Sequence, residues 1–236
     1  MLELPSIPEH YRKHLMWFGI ASVVLIAGFS TTLAALVRFC LQDDLFSHIL
    51  LIPAVSGFLV ACRWKSLEWE YSPAKAMAAG LGVLAALFLL LSFQSTESAG
   101  LADPVMLSWR MLAFVFGWVA IAVGTLGGRL MSGVVFPAAF LLFMVPLPPA
   151  VVGIVEHGLQ HASAEASAWL FPLADVAFFR DGMSFQLPTI TLEVAPECSG
   201  IRSTLVLFIT SLVAGQLLLE RPWQRATLAL LVIPLG

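Results

Sequence analysis

Long apolar blocks separated by short polar loops dominate the chain. A helix needs about 20 apolar residues to cross the hydrocarbon core of a bilayer. Six blocks meet or approach that length: about Leu15 to Val37, Phe46 to Cys62, Ala74 to Phe93, Val105 to Leu126, Leu130 to Leu147 and Thr204 to Leu219. A seventh begins near Ala226 and is still apolar in LVIPLG, so the chain reads as part of a longer protein. The pattern predicts an all-α, polytopic membrane helix bundle with about seven visible spans, a single membrane-embedded domain over residues 1–236. The third block contains AAGLGVLAA, whose small residues favour close helix packing.

Residues 148–197 interrupt this rhythm and form the only large segment outside the spans. In VVGIVEHGLQHASAEASAWLF, apolar side chains recur at Val151, Val155, Leu159, Ala162, Ala166 and Trp169. Glu156, His157, Gln160 and Ser163 take the opposite face, which predicts an amphipathic helix lying on the membrane. Further on, Asp181-Gly182 between apolar runs predicts a hairpin turn. Pro188 argues against a central strand, so a short hairpin or loop delivers the chain to Cys198.

Composition agrees with the pattern: 59% of the 236 residues are hydrophobic and 11% are charged, against about 25% charged in soluble domains. A net charge of -3 points to no nucleic-acid partner. With the N-terminus in the cytoplasm, Arg12, Lys13, Arg63, Lys65, Lys75, Arg129, Arg221 and Arg225 all fall inside, eight of the twelve basic residues. The acidic loops and residues 148–197 then face outward, with Cys198 at the outer surface of a cell (inner) membrane.

Candidate chemistry gathers in EVAPECSGIRSTLVLF, Glu193 to Phe208, at the mouth of the sixth block. Ser199 is a good N-cap and Gly200 permits close backbone approach, so a helix is expected to start there. Its positive end would favour a Cys198 thiolate or an oxyanion. Arg202 lies one turn on, and an arginine beside a membrane is paired or functional. Glu193 and Glu197 oppose the thiolate unless a cation pairs with them. Local physics also allows a small buried cysteine with Arg202 snorkelling, or a disulfide from Cys198 to Cys40. His157, His161 and Glu165 share one helical face, the donor set of a membrane metalloprotease, although HGLQH lacks the glutamate of the zincin pattern. His48, beside Ser47, Asp43 and Asp44, sits at the outer start of the second span as a polar cap or an active-site lining residue.

Cys198-Ser199-Gly200-Ile201-Arg202 at an extracytoplasmic helix start resembles the exosortase/archaeosortase family. DDLFSHILLIPAVSGFLVACRWKSL is similar to that family's early Asp, Tyr-Ser-His, Leu-Ile-Pro segment, with Phe46 where Tyr is common and Ile49 where Gly often follows the His. The turn VPLPP also fits the family's order, and the resemblance runs from about Leu41 onward. It implies a membrane cysteine transpeptidase acting on membrane-anchored proteins with C-terminal sorting signals of the PEP-CTERM type. Cys198 would be the nucleophile, supported by Ser199, Gly200, Arg202 and His48. The family's catalytic Arg and His belong to spans after Gly236. No cofactor or metal is implied. A non-catalytic membrane scaffold or export component stands as the alternative, and the metalloprotease as a further one.

Overall fold

The computed structural model describes residues 8–94, 103–195 and 200–232. The chain divides into two compact units, Met1–Pro148 and Pro149–Gly236.

The first unit begins with α1 (Glu9–Gly28) and α2 (Ser30–Gln42), bent by 67° about Phe29, so the expected first span is broken in two. The Phe29 ring turns onto Phe114, 5.6 Å between centroids. Asp43 then accepts a hydrogen bond from the Leu45 N–H (2.9 Å), capping a 3-10 turn, Asp44–Leu51. That turn runs into α3 (Ile52–Arg63), where Pro53 occupies the first turn and forfeits no helical hydrogen bond.

α4 (Lys75–Gln94) and α5 (Pro104–Leu126) form the central hairpin, and α1 packs on α5. The Asp103 carboxylate caps α5 by accepting from the Val105 N–H (3.3 Å). α5 supplies much of the interior: Leu107, Met111, Val115, Ala122 and Val123 are all buried. It ends at Gly127, whose φ of +87° suits glycine, and the Gly128 N–H bonds the Ser72 carbonyl at 2.8 Å.

The fifth apolar block was expected as one span. It is instead α6 (Gly128–Gly133), α7 (Val135–Phe140) and a 3-10 turn, Leu141–Met144. Pro137 explains the break, because it has no N–H to offer the Gly133 carbonyl one turn back. The Arg63 guanidinium takes that carbonyl instead (3.1 Å). Ser56 donates to the Pro137 carbonyl (2.8 Å) and Ser108 to the Pro146 carbonyl (2.7 Å). Side chains of neighbouring helices thus satisfy the carbonyls that a broken membrane helix exposes.

In the second unit, α8 (Pro149–Leu173) precedes a three-stranded antiparallel sheet of β1 (Phe179–Asp181), β2 (Ser184–Gln186) and β3 (Thr191–Glu193). Gly182, at φ +60°, turns β1 into β2; it is one of the two residues predicted for the hairpin turn, whereas Asp181 ends β1 and Met183 completes the turn. β3 was not expected. Pro188 sits in the loop between β2 and β3, where its missing N–H disturbs no ladder. α9 (Ile201–Leu218) and α10 (Pro222–Val232) follow. Arg225 of α10 donates to the Leu219 carbonyl (2.9 and 2.7 Å) and to Gln216 Oε1 (2.7 Å), capping the end of α9.

Against the seven spans expected, the described residues hold four helices long and apolar enough to cross a membrane: Leu45–Ser66, Lys75–Phe93, Pro104–Leu126 and Ile201–Leu218. Counting broken helix pairs as single spans raises the number to six.

Candidate functional site

Cys198 and Ser199 lie outside the described residues, with Pro196 and Glu197. The site is therefore built from the chain on either side of them.

On the far side, Gly200 rather than Ser199 is the N-cap of α9, a correction to the expected cap. Its backbone is left-handed (φ 66°, ψ 13°), a conformation that costs L-residues other than glycine roughly 1 kcal/mol or more. The Gly200 carbonyl accepts from the Thr204 N–H (2.9 Å) and the Ser203 hydroxyl (3.1 Å). The positive end of the α9 dipole thus lies immediately after residues 196–199. Arg202 is exposed in the first turn. Thr204 lies one turn into the helix, and its Oγ1 is buried without a hydrogen-bond partner among the described residues.

On the near side, β3 brings the chain to Val194. The Val194 N–H donates to the Met183 carbonyl (3.1 Å) and its own carbonyl accepts from Gln160 Nε2 of α8 (3.4 Å). Both backbone groups of Val194 are therefore held, four residues before Cys198. Gln160 was read from the sequence only as part of a wet face. In the structure it is buried, as is Ala164, while Glu156, Ser163 and Ser167 are half-buried. Apolar side chains point outward instead: Ile154 is 74% exposed, Trp169 77% and Leu173 82%. The amphipathic surface helix expected from the sequence is not established: on α8 both apolar residues and His157, His161 and Glu165 are exposed, while Gln160 turns inward.

The three residues of the metalloprotease alternative do not assemble as ligands. His157 and His161 are 6.3 Å apart between ring centroids, and His161 Nε2 is 4.0 Å from Glu165 Oε1. Glu165 is held by Arg180 of β1 at 2.8 Å, and Arg180 also donates to the Gly182 carbonyl (3.0 Å). Among the described residues, no group of three or more His, Cys, Asp and Glu is placed to hold a metal ion. The Arg180–Glu165 pair went unread, because nothing in the local sequence links residues so far apart.

His48 belongs to the first unit and Gly200 and Arg202 to the second. His48 is half-buried in the 3-10 turn, with Nδ1 3.0 Å from the Leu45 carbonyl. That contact puts the proton on Nδ1 and leaves Nε2 as an acceptor in the neutral ring. The flanking residues serve packing: Phe46 is buried against Phe39, 4.9 Å between centroids, and Ile49 is buried. Ile49 and Leu50 also line an apolar cavity of about 540 Å³ with Ile26, Leu36, Phe114 and Trp118.

These features define a multi-pass helical membrane protein with a small sheet placed just ahead of a polar motif at the head of a helix. Residues 40–236 match the family model described as transmembrane exosortase (Exosortase_EpsH), and the chain belongs to that family. No curated protein and no solved structure matches it. Membership carries, in general terms, the role of a membrane transpeptidase or protease acting on sorting-signal substrates.

Proposed function

We propose that the chain is the nucleophile-bearing part of a membrane cysteine transpeptidase that cleaves C-terminal sorting signals of the PEP-CTERM type at the outer face of the membrane. The family match carries this reading, because it takes in both the segment around His48 and the run Cys198-Ser199-Gly200-Ile201-Arg202. The start of α9 supports it: a left-handed Gly200 leads into a helix whose positive end favours anionic sulfur or oxygen.

In this reading the Cys198 thiolate attacks the carbonyl carbon of a peptide bond in the sorting signal. The tetrahedral oxyanion collapses, the C–N bond breaks, and the amine leaves with a proton together with the substrate's transmembrane segment and tail. A thioester remains on Cys198. An acceptor nucleophile on a lipid or glycan group, or water, then attacks it and regenerates the thiol. Arg202 and the α9 dipole favour the thiolate that Glu193 and Glu197, close to it in sequence, oppose. The N-terminus is cytoplasmic, so that residues 148–197 and Cys198 face outward, as the distribution of basic residues supports.

The test is processing of a membrane-anchored reporter with a C-terminal sorting signal in cells that express the full-length protein. Cys198→Ala is expected to reduce cleavage by at least about a hundredfold, since removal of a nucleophile abolishes the covalent route. Cleavage that survives both Cys198→Ala and Cys198→Ser would show that the thiol is not the nucleophile.

A further inference from the structure

The three-stranded sheet has an open side. The strand order β1-β2-β3 leaves β3 at an edge, and the hydrogen-bond parity of the ladder says what that edge offers. Met183 pairs with Val194 and Leu187 with Ile190 through backbone hydrogen bonds of 3.1 and 2.9 Å. Antiparallel pairs alternate between hydrogen-bonded and non-hydrogen-bonded. Phe185–Leu192 is therefore a hydrogen-bonded pair, while Ser184–Glu193 and Gln186–Thr191 are not. The N–H and C=O groups of Thr191 and Glu193 consequently point away from β2, out of the open edge. Among the described residues, neither residue has a backbone partner on that side.

Sheet edges are commonly blunted by very short strands, charged side chains, Pro or a bulge. β3 is short and ends in Glu193, but it has neither Pro nor a bulge. β3 reads Thr-Leu-Glu, all three residues are exposed, and its register with β2 is unbroken. The opposite edge differs. By the same parity only Arg180 of β1 faces outward there. Its side chain is committed to Glu165, the Gly182 carbonyl and the Phe185 ring, 5.7 Å from the guanidinium carbon.

We propose that β3 is the docking strand for an extended segment of the polypeptide substrate, which joins the sheet as a fourth strand. This rests on the reading of Cys198 as nucleophile. Main-chain hydrogen bonds to Thr191 and Glu193 supply the affinity, and alternate side chains of the docked segment are read on the two faces of the sheet. Cys198 lies five positions beyond Glu193, a reach of at most about 18 Å. A substrate held along β3 therefore lies within chain distance of the thiol. The grip of Met183 and Gln160 on Val194 keeps the strand end fixed while this happens.

Cysteine cross-linking in membranes tests the docking strand without requiring catalysis. The full-length chain carries Cys62→Ser and Cys198→Ala, and Thr191→Cys, Leu192→Cys or Glu193→Cys is added singly. A sorting-signal reporter carries one cysteine, moved residue by residue through the segment ahead of its transmembrane helix. Strand addition predicts yields that alternate with a period of two along the reporter. Thr191→Cys and Glu193→Cys should share one phase and Leu192→Cys the other. Yields that are flat, or absent, overturn the proposal. With Cys198 present, Thr191→Pro removes one outward N–H and no ladder bond, and KM is expected to rise about tenfold at unchanged kcat, the worth of roughly one hydrogen bond. The two readings fail separately. Processing that survives Cys198→Ala removes the nucleophile and leaves the cross-linking pattern standing. Flat cross-linking with Cys198-dependent processing removes the docking strand alone.

Discussion

At the corner where α5 turns into α6, polar groups are tied to the backbone of distant segments. The Tyr11 hydroxyl donates to the Leu126 carbonyl, His14 Nδ1 contacts the Thr125 carbonyl (2.9 Å), and the Gly128 N–H bonds the Ser72 carbonyl. Tyr11, Leu67, Val123, Leu126 and Met131 close over them as a buried cluster. From α8 to β3 the arrangement is reversed. Apolar side chains are turned out, Gln160 is turned in, and among the described residues the outward N–H and C=O groups of β3 have no backbone partner. The corner has the character of a scaffold, with the Tyr11 hydroxyl, the His14 ring and the Gly128 N–H committed within the chain. The α8–β3 segment has the character of a surface that awaits a medium or a partner. Variants in the first should therefore read out as stability, and variants in the second as membrane fit or substrate handling.

The largest effect belongs to Gly127. A Cβ there would lie 2.8 Å from the Ser72 carbonyl oxygen, 3.0 Å from its nitrogen and 3.2 Å from Tyr71 Cδ2, with φ already at +87°. Gly127→Val adds backbone strain to a clash with main chain that cannot swing aside, and about 3 kcal/mol or more of destabilisation is expected. Unfolding in detergent or bicelles measures it. An unchanged midpoint would mean that the corner is not the rigid element described above.

Next comes the outward face of α8. Ile154→Lys distinguishes the medium that covers it. Under a hydrocarbon cover the lysine costs about 2.5 kcal/mol, whereas on a wetted helix it costs almost nothing. The expected outcome is the larger cost, seen as lower yield in the membrane fraction and lower stability in bilayers. A neutral Ile154→Lys would place that face in water and remove half of the contrast between the two regions.

How far the sequence foretold each region follows from the same physics. Block length located α4, α5 and α9 well, since a continuous apolar helix is specified by its own residues. The breaks were harder. Pro137 lies inside an apolar block, and only the positions of Arg63 and Ser56 make a broken helix tolerable there. The bend at Phe29 has no proline at all; Gly28 and Ser30 flank it, and the Phe29 ring meets Phe114. On α8 the period suggested a wet polar face, yet Gln160 is buried and Ile154, Trp169 and Leu173 are exposed. The habit of placing polar residues toward solvent fails where the surroundings of a helix are themselves apolar. β3 was hidden because Pro188 is a strand breaker, and its place one loop earlier is visible only in the register. The candidate site is proposed from a motif, Cys198 to Arg202, whereas the left-handed conformation of Gly200 within it was legible only as a glycine.

Arg129 and Glu70 give the smallest effect and the sharpest limit on the scaffold description. Their side chains form an ion pair beside the corner, yet they remain 54% and 68% exposed. Water and salt screen such a pair, and holding two long side chains in one geometry costs entropy, so exposed pairs contribute about 0–1 kcal/mol. Arg129→Ala is therefore expected to shift the unfolding free energy by less than about 0.5 kcal/mol. Glu70→Gln should match it, and added salt should erase the difference. A shift comparable to that of Gly127→Val would assign the corner's stability to charge rather than to backbone hydrogen bonds and the Tyr11 cluster. The two regions would then differ in which side chains are charged, and no longer in whether their polar groups are committed.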